Sequence, residues 1–225
     1  MGILYTHQCI LCGKTLPAEA NGRVQLCPDC AAEVRRDYRC TEPVSVFGAD
    51  GTAAPLYYRG AVRSAMKRFK FSGAAYCADW FAAQACAALT ARLDEWQPAL
   101  ITYMPIGFLH YRKRGYNQAE LLAKLIAKPL SLPCEAALRK RWFVKKQSAQ
   151  KDYAARQSNA KDAVLPKKGV DLAGKSVVLV DDIITTGATA AAAVKALREM
   201  GASRVYVLAA TVTPRKSIPR PKDVV

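Results

Sequence analysis

The sequence predicts an α/β protein in which a parallel, doubly wound sheet is flanked by helices and preceded by a small N-terminal knuckle of four cysteines. Short apolar runs typical of buried parallel strands alternate with amphipathic helical stretches. Two Cys-x-x-Cys pairs precede the first of these runs. The 225 residues suffice for one α/β domain of roughly 150 residues and a small accessory module. We therefore predict a knuckle over residues 1–42 and an α/β domain over 43–225.

The two cysteine pairs predict a structural zinc site. Fourteen residues separate the pairs, a spacing typical of Cys₄ zinc knuckles in a reducing compartment, whereas disulfides or free buried thiols are the alternatives. The predicted ligands are Cys9, Cys12, Cys27 and Cys30. Because residues 5–40 contain few apolar side chains, the metal is expected to supply much of their folding free energy. The knuckle is interpreted either as a surface for nucleic acid or protein, or as a scaffold.

The other histidine and cysteine residues considered are weaker candidates for zinc ligands. His7 and Cys40 are interpreted as bystanders beside a complete set of four. The other three cysteines lack partner spacing and are predicted to be small buried residues. They are Cys77, Cys86 and Cys134.

The net charge of +16 predicts attraction to polyanions. Nucleic acid, a phosphorylated substrate and an acidic protein all satisfy that condition. No run of 18 apolar residues exists, and the first residues lack a basic segment followed by a long apolar one. Neither export nor membrane insertion is expected.

The first part of the α/β domain predicts an edge strand over residues 54–58 and two helices. Residues 61–71 place Val62, Met66 and Phe69 on one helical stripe among basic residues, and the helix ends near Gly73. The basic side chains are interpreted as a solvated face, with a phosphate or nucleic-acid surface as the alternative. An alanine-rich helix over 74–96 is expected to cover one face of the sheet.

A strand predicted over residues 100–104 leads into a basic loop. The loop carries Arg112, Lys113, Arg114 and Gly115, and Asn117 begins an amphipathic helix that Pro129 stops. If the loop lies at the ligand-binding end of the sheet, its charge is suited to a diphosphate group; simple surface charge is the alternative.

Residues 139–161 are basic and polar with little apolar periodicity. We interpret them as the centre of a mobile hood, about residues 107–165, that closes over a phosphate ester and excludes water. The alternative is a disordered surface loop.

Residues 175–189, KSVVLVDDIITTGAT, contain the clearest strand, because 177–180 are aliphatic on both faces. Asp181 and Asp182 follow at its carboxyl end, and a helix is predicted over 189–200, ended by Gly201. Ligands bind at this end of open α/β sheets, and helix N-termini offer unpaired N–H groups. The turn is therefore predicted to bind phosphate, and the aspartates to contact ribose hydroxyls or Mg²⁺. An ordinary acidic strand end is disfavoured, since adjacent carboxylates repel each other.

The segment VVLVDDIITTGAT resembles the ribose-phosphate signature of the type I phosphoribosyltransferases. The resemblance implies a type I phosphoribosyltransferase-like fold that binds 5-phosphoribosyl-1-diphosphate (PRPP), or a related ribose 5-phosphate ester, with Mg²⁺. Asp181 and Asp182 are then expected at the ribose hydroxyls. The residues expected around the 5′-phosphate are Thr185, Thr186, Gly187, Ala188 and Thr189.

A longer resemblance covers the chain from about Cys9 to Thr211. The order of the cysteine pairs, LYYRGAVRSAMKRFKFSG, MPIGFLHYRKRGYNQAELLA, RKRWFVKKQSAQKDYAARQSNA and VVLVDDIITTGAT is similar to that of the ComF/GntX family of phosphoribosyltransferase-like proteins. The resemblance implies a cytoplasmic bacterial protein. Some family members are linked to DNA uptake during natural transformation, and others are named for carbon metabolism.

The hypothesis for the chemistry is Mg²⁺-assisted departure of diphosphate from ribose C1 and attack by a nitrogen nucleophile. Arg112, Lys113 and Arg114 are expected to bind the diphosphate, and the predicted catalytic residues are Asp181, Asp182, Arg112 and Arg114. Purine phosphoribosyltransferases resemble this motif but place an Asp where Thr185 stands. A general base would therefore come from the hood, from the acceptor, or from neither. The hood candidates are Lys145, Lys146 and Tyr153.

A non-enzymatic function is the alternative. The protein would then be a ligand sensor, or an accessory that binds single-stranded DNA or a DNA-uptake helicase through its knuckle and basic surface. Aromatic residues suited to base stacking lie near the basic segments. They are Tyr57, Tyr58, Tyr111, Tyr116, Trp142 and Phe143.

Overall fold

A computed structural model describes residues 8–16, 26–140 and 164–214. His7 lies outside the described residues, as do residues 141–163 of the predicted hood with the candidate bases Lys145, Lys146 and Tyr153. Within the described ranges, no helix is both long enough and apolar enough to cross a lipid bilayer.

A parallel sheet of five strands forms the centre of the described fold, which confirms the predicted class. The strands are β1 (Gly51–Ala53), β2 (Leu56–Tyr57), β3 (Leu100–Tyr103), β6 (Ser176–Ile184) and β7 (Arg204–Val212). β6 pairs with β3 on one side and with β7 on the other, and β1 and β2 pair in turn with β7. Because β6 is central, its residues 177–180 are almost fully buried.

Helices cover both faces of this sheet. The first face packs against α3 (Cys77–Thr90) and α6 (Gln118–Leu130), and α2 (Gly60–Phe71) packs on α3, with Phe69, Phe81 and Leu122 in one buried cluster. The second face packs against α7 (Ala188–Glu199), whose alanines allow close approach to the strands. Side chains alternate along β6, so Val178 and Val180 join the first cluster whereas Val177 and Leu179 join the second.

Several predicted boundaries differ from the observed ones. Ala54 and Pro55 interrupt the predicted edge strand between β1 and β2. The predicted helix over 74–96 is broken, because the chain turns after α3 and forms the short helix α4 (Leu93–Trp96). This turn allows Trp96 to stack on Tyr206, with ring centroids 4.5 Å apart. α6 ends at Leu130, one residue after Pro129.

The basic segment that was predicted as a loop is a helix. α5 (Phe108–Arg114) runs between Gly107 and Gly115, and Gly115 ends it with a left-handed φ of +79°. Cations in the last turn of a helix interact favourably with its dipole, which accounts for the helical state of this segment.

The knuckle packs into the same core as the α/β domain. After the first cysteine pair come α1 (Pro28–Glu33) and a π-helical turn (Val34–Tyr38). Ile10, Leu11 and Leu16 are buried in the cluster that also contains α2. The knuckle therefore has more apolar support than its composition indicated, although its boundary at residue 42 stays a prediction.

A two-stranded antiparallel sheet lies within the predicted hood region. Its strands, β4 (Leu138–Lys140) and β5 (Val164–Pro166), pair Lys140 with Val164. Lys140 and Val164, the described residues on either side of positions 141–163, thus lie side by side.

Candidate functional site

A cleft of about 880 Å³ opens at the carboxyl ends of β3 and β6. Segments far apart in the sequence form its walls: the end of α2, the α5 region, the start of α6, β4, and the turn between β6 and α7. Its polar lining residues are Lys70, His110, Arg114, Asn117, Lys140, Asp181, Asp182, Thr185 and Thr189. The location agrees with the rule that open α/β sheets bind ligands at this edge.

The turn before α7 presents hydroxyl groups and a helix N-terminus to the cleft. Gly187 is the N-cap residue and has a φ of +77°, a backbone conformation that favours glycine. Thr185, Gly187 and Thr189 line the cleft, whereas Thr186 lines a neighbouring cavity of about 270 Å³. Ala188 is exposed, and its N–H donates to Thr186 Oγ1 at 3.4 Å. The first turn of α7 is thus open to an anion.

The two aspartates lie inside β6, not after it, because the pairing with β7 continues to Ile184. Asp182 Oδ1 forms an ion pair with Lys70 Nζ at 2.8 Å. The Asp182 N–H donates to Asp181 Oδ1 at 2.8 Å, and Thr211 Oγ1 donates to the Asp182 carbonyl at 3.1 Å. These contacts hold the two carboxylates in place before any ligand binds.

Burial and the neighbouring charge of Asp182 raise the pKa of Asp181 to about 7. Lys70 and Lys140 oppose this shift. On Lys140, burial lowers the pKa of the ammonium, and the charge of Asp181 acts in the opposite direction. An acidic pair of this kind favours a ligand that brings a cation or hydroxyl donors.

Sequence reasoning missed Lys70 and Lys140 as residues of the cleft. Lys70 belongs to a helix whose basic side chains are interpreted from the sequence as a solvated face, and Lys140 lies within the predicted hood, where no role singles it out. The only signal in the sequence was the position of Lys70 at the end of its helix, just before Gly73. Only the tertiary packing of α2 brings Lys70 to Asp182.

Only one of the three consecutive basic residues of α5 lines the cleft. Arg114 lines the cleft, donates to Gln118 Oε1 at 3.0 Å and stacks on Phe71. Arg112 and Lys113 are exposed and do not line it, and Arg112 stacks on Phe108. Asn117 accepts a hydrogen bond from the Ala119 N–H, as an N-cap residue should, and donates to the Met104 carbonyl.

The four predicted zinc ligands converge. The Sγ atoms of Cys9, Cys12, Cys27 and Cys30 all lie within 4.8 Å of one another, and those of Cys12 and Cys27 are 3.7 Å apart. Tetrahedral zinc with Zn–S bonds of about 2.3 Å places its sulfurs roughly 3.8 Å apart, so the cluster fits a Cys₄ metal site. Cys40 lies outside this cluster and contacts the Glu42 carbonyl, which agrees with its interpretation as a bystander.

Comparison with protein families matches a known domain to the second half of the chain, which contributes part of the cleft. Residues 116–224 match the family model "Phosphoribosyl transferase domain". The match includes β6 and the turn before α7. The family model thus confirms the predicted resemblance to phosphoribosyltransferases.

Two curated relatives carry competence in their names. The chain is 36% identical to Competence protein F of Haemophilus influenzae over 109 residues, which are 46% of this chain and 47% of that protein. It is 26% identical to Competence protein ComFC of Bacillus subtilis over 198 residues, 87% of this chain and 73% of that protein. The chain thus spans about half the length of the Haemophilus protein and most of the Bacillus one. These matches confirm the resemblance to the ComF family.

Among solved structures, a purine phosphoribosyltransferase from Pyrococcus horikoshii is similar at 20% identity. The similarity covers 62% of this chain and 79% of that one, with a TM-score of 0.41. This TM-score is too low to support a conclusion about the fold.

Proposed function

We propose that this ComF-like chain with a phosphoribosyl transferase domain binds PRPP, or a related ribose 5-phosphate ester, together with Mg²⁺. The observation that carries the proposal is the single cleft that joins a phosphate-binding turn, two fixed carboxylates and three cationic side chains. A phosphorylated sugar with vicinal hydroxyls requires these same groups.

Different residues of the cleft bind different parts of the proposed ligand. Thr185, Thr189 and the first N–H groups of α7 bind the 5′-phosphate, and the carboxylates of Asp181 and Asp182 accept hydrogen bonds from the ribose hydroxyls. Arg114 stabilises the negative charge that develops on a departing diphosphate. Arg112 and Lys113 are exposed outside the cleft lining and would bind the diphosphate only after a movement of α5.

Mg²⁺ fits the donors of the cleft, because carboxylate and phosphate oxygens are its preferred ligands. When bound with the diphosphate, it supplies charge neutralisation to the leaving group. Asp181 and Asp182 are the residues that would hold it. Zinc is proposed for the four-cysteine cluster as a structural ion.

The proposed reaction is transfer of the phosphoribosyl group from PRPP to a nitrogen acceptor, in which the bond between C1 and the diphosphate oxygen breaks and a bond between C1 and nitrogen forms. The proton released by the acceptor goes to a hood residue or to water. From the names of the two competence relatives, we propose a cytoplasmic role in DNA uptake.

Isothermal titration of the zinc-loaded protein with PRPP and Mg²⁺ tests the proposal, followed by assay of diphosphate release with nitrogenous acceptors. We expect saturable binding, and release with one class of acceptor. Binding without release would identify a sensor or accessory protein, and absence of binding would overturn the proposal.

One observation favours a second function. α5 exposes Phe108, Leu109 and Tyr111 beside Arg112 and Lys113, a combination of aromatic and basic groups that suits single-stranded DNA. Fluorescence anisotropy with a labelled oligonucleotide would test it. Affinity should fall steeply as salt is raised, and Tyr111→Ala should weaken it severalfold.

A further inference from the structure

Lys70 forms the most buried ion pair in the described part of the chain. The side chains of Lys70 and Asp182 are 17% and 12% exposed, and their charged atoms are 2.8 Å apart. Asp182 is one of the two carboxylates proposed to bind the ribose. The acid that the proposed substrate needs is therefore engaged by a lysine of the same chain.

The position of Lys70 is fixed at the end of α2. The carbonyl of Phe69, the preceding residue, accepts hydrogen bonds from Tyr116 Oη and Gln118 Nε2. Arg68, on the other side of Phe69, donates to the carbonyls of Ile10 and Leu11 in the knuckle. These contacts anchor the backbone next to Lys70 at the cleft wall, while its side chain keeps the freedom of a four-carbon stem.

Cationic side chains outnumber carboxylates in the lining of the cleft. Lys70, Arg114 and Lys140 supply three cations, whereas Asp181 and Asp182 supply two carboxylates. A ligand that engages Asp182 through hydroxyl groups or Mg²⁺ competes with Lys70 for that carboxylate. A largely buried ammonium with a weakened ion pair is unfavourable, so a new anionic partner within reach stabilises it. The phosphate groups of the same ligand are such partners.

We propose that Lys70 exchanges partners on ligand binding: it neutralises Asp182 in the empty cleft and binds a phosphate oxygen when the ribose or its cation takes Asp182. This inference rests on the proposed function. It predicts opposite effects of one substitution on two ligands, because Lys70 competes with a cation for Asp182 but assists a phosphorylated sugar.

Lys70→Met provides the test, with Lys67→Met as the matched control. Lys67 lies on the same helix, is exposed and does not line the cleft, so its removal changes the net charge equally. Titrations of each zinc-loaded protein would measure the Kd for PRPP with Mg²⁺ by calorimetry, and the Kd for Mn²⁺ alone by electron paramagnetic resonance. Lys70→Gln repeats both measurements with a side chain that still hydrogen-bonds to Asp182, and replaces Lys70→Met if that variant does not fold.

For Lys70→Met we expect PRPP to bind at least tenfold more weakly and Mn²⁺ at least threefold more tightly than in the wild type. Lys67→Met should change either Kd less than twofold. Weakening of both ligands, or a PRPP affinity equal to that of the control, would overturn the exchange and leave the proposed function intact. If the wild-type protein bound no PRPP, the proposed function itself would fail, and the inference with it.

Discussion

The four-cysteine knuckle and the cleft differ in how their functional groups are assembled. In the knuckle, ligands from two short segments converge until all four sulfurs lie within 4.8 Å of one another. In the cleft, Lys70 and Asp182 are 112 positions apart in the sequence and meet only because the tertiary packing of α2 brings Lys70 to β6.

The comparison teaches that the two sites depend on different sources of free energy. The knuckle geometry fits a metal ion, and the metal is expected to stabilise it. The cleft geometry depends on buried apolar contacts and on a buried ion pair. Hydrogen bonds nevertheless connect the two sites. Arg68, which lies two residues before Lys70 on α2, donates to the carbonyls of Ile10 and Leu11 in the knuckle.

Loss of a zinc ligand should have the largest effect. Cys30→Ser should abolish zinc retention and lower the free energy of unfolding by about 3 kcal/mol or more, a fall in Tm of roughly 10 °C. The loss extends beyond the knuckle because Ile10 and Leu11 belong to the common core. Metal analysis and calorimetry would measure it. Cys40→Ala should retain one zinc per chain; equal zinc loss in that control would contradict the assignment.

Stability should depend on pH through Asp181. Its pKa is raised from 3.8 to about 7, so between these values the folded protein holds a proton that the unfolded chain has released. Stability is therefore greatest at low pH within this window and falls as pH rises towards 7, by up to about 1.4 kcal/mol per pH unit. Urea unfolding of the zinc-loaded wild type and Asp181→Asn at pH 5 to 8 would show it. Parallel profiles for the two proteins would refute this titration.

Asp182→Asn should weaken PRPP binding about tenfold, because a charge-assisted hydrogen bond to the ligand is lost and Lys70 keeps only a weaker partner. Calorimetric titration would measure the change. Asp79→Asn, an exposed change of the same charge on α3, should leave the affinity unaltered. An equal loss in both variants would indicate a general charge effect instead of a site.

Arg68→Met should have the smallest effect and would measure the link between the two regions. It removes the hydrogen bonds from α2 to Ile10 and Leu11, at a cost of about 1 kcal/mol in unfolding free energy. The PRPP affinity should fall two- to fivefold because Lys70 is held less firmly. If stability fell while the affinity stayed unchanged, the knuckle would stabilise the fold without positioning the cleft.

Much of the fold could be predicted from local patterns. The aliphatic residues 177–180, the Asn117 cap and Gly201 each mark a boundary through their own backbone or side-chain preference. Errors arose where distant contacts overrode these preferences. The predicted long helix breaks between α3 and α4, where the turn allows Trp96 to stack on Tyr206, and the extended pairing with β7 carries β6 past both aspartates.

The sequence by itself determined the four converging cysteines and the turn that faces the cleft, since each depends on residues within one or two short segments. Only the tertiary structure decided which cations accompany the carboxylates. It brings Lys70 and Lys140 towards Asp182 and Asp181, and leaves Arg112 and Lys113 outside the cleft lining. The physical reason is that a charged side chain carries no sequence signal for its partner; the packing of the helix or strand that bears it sets the distance.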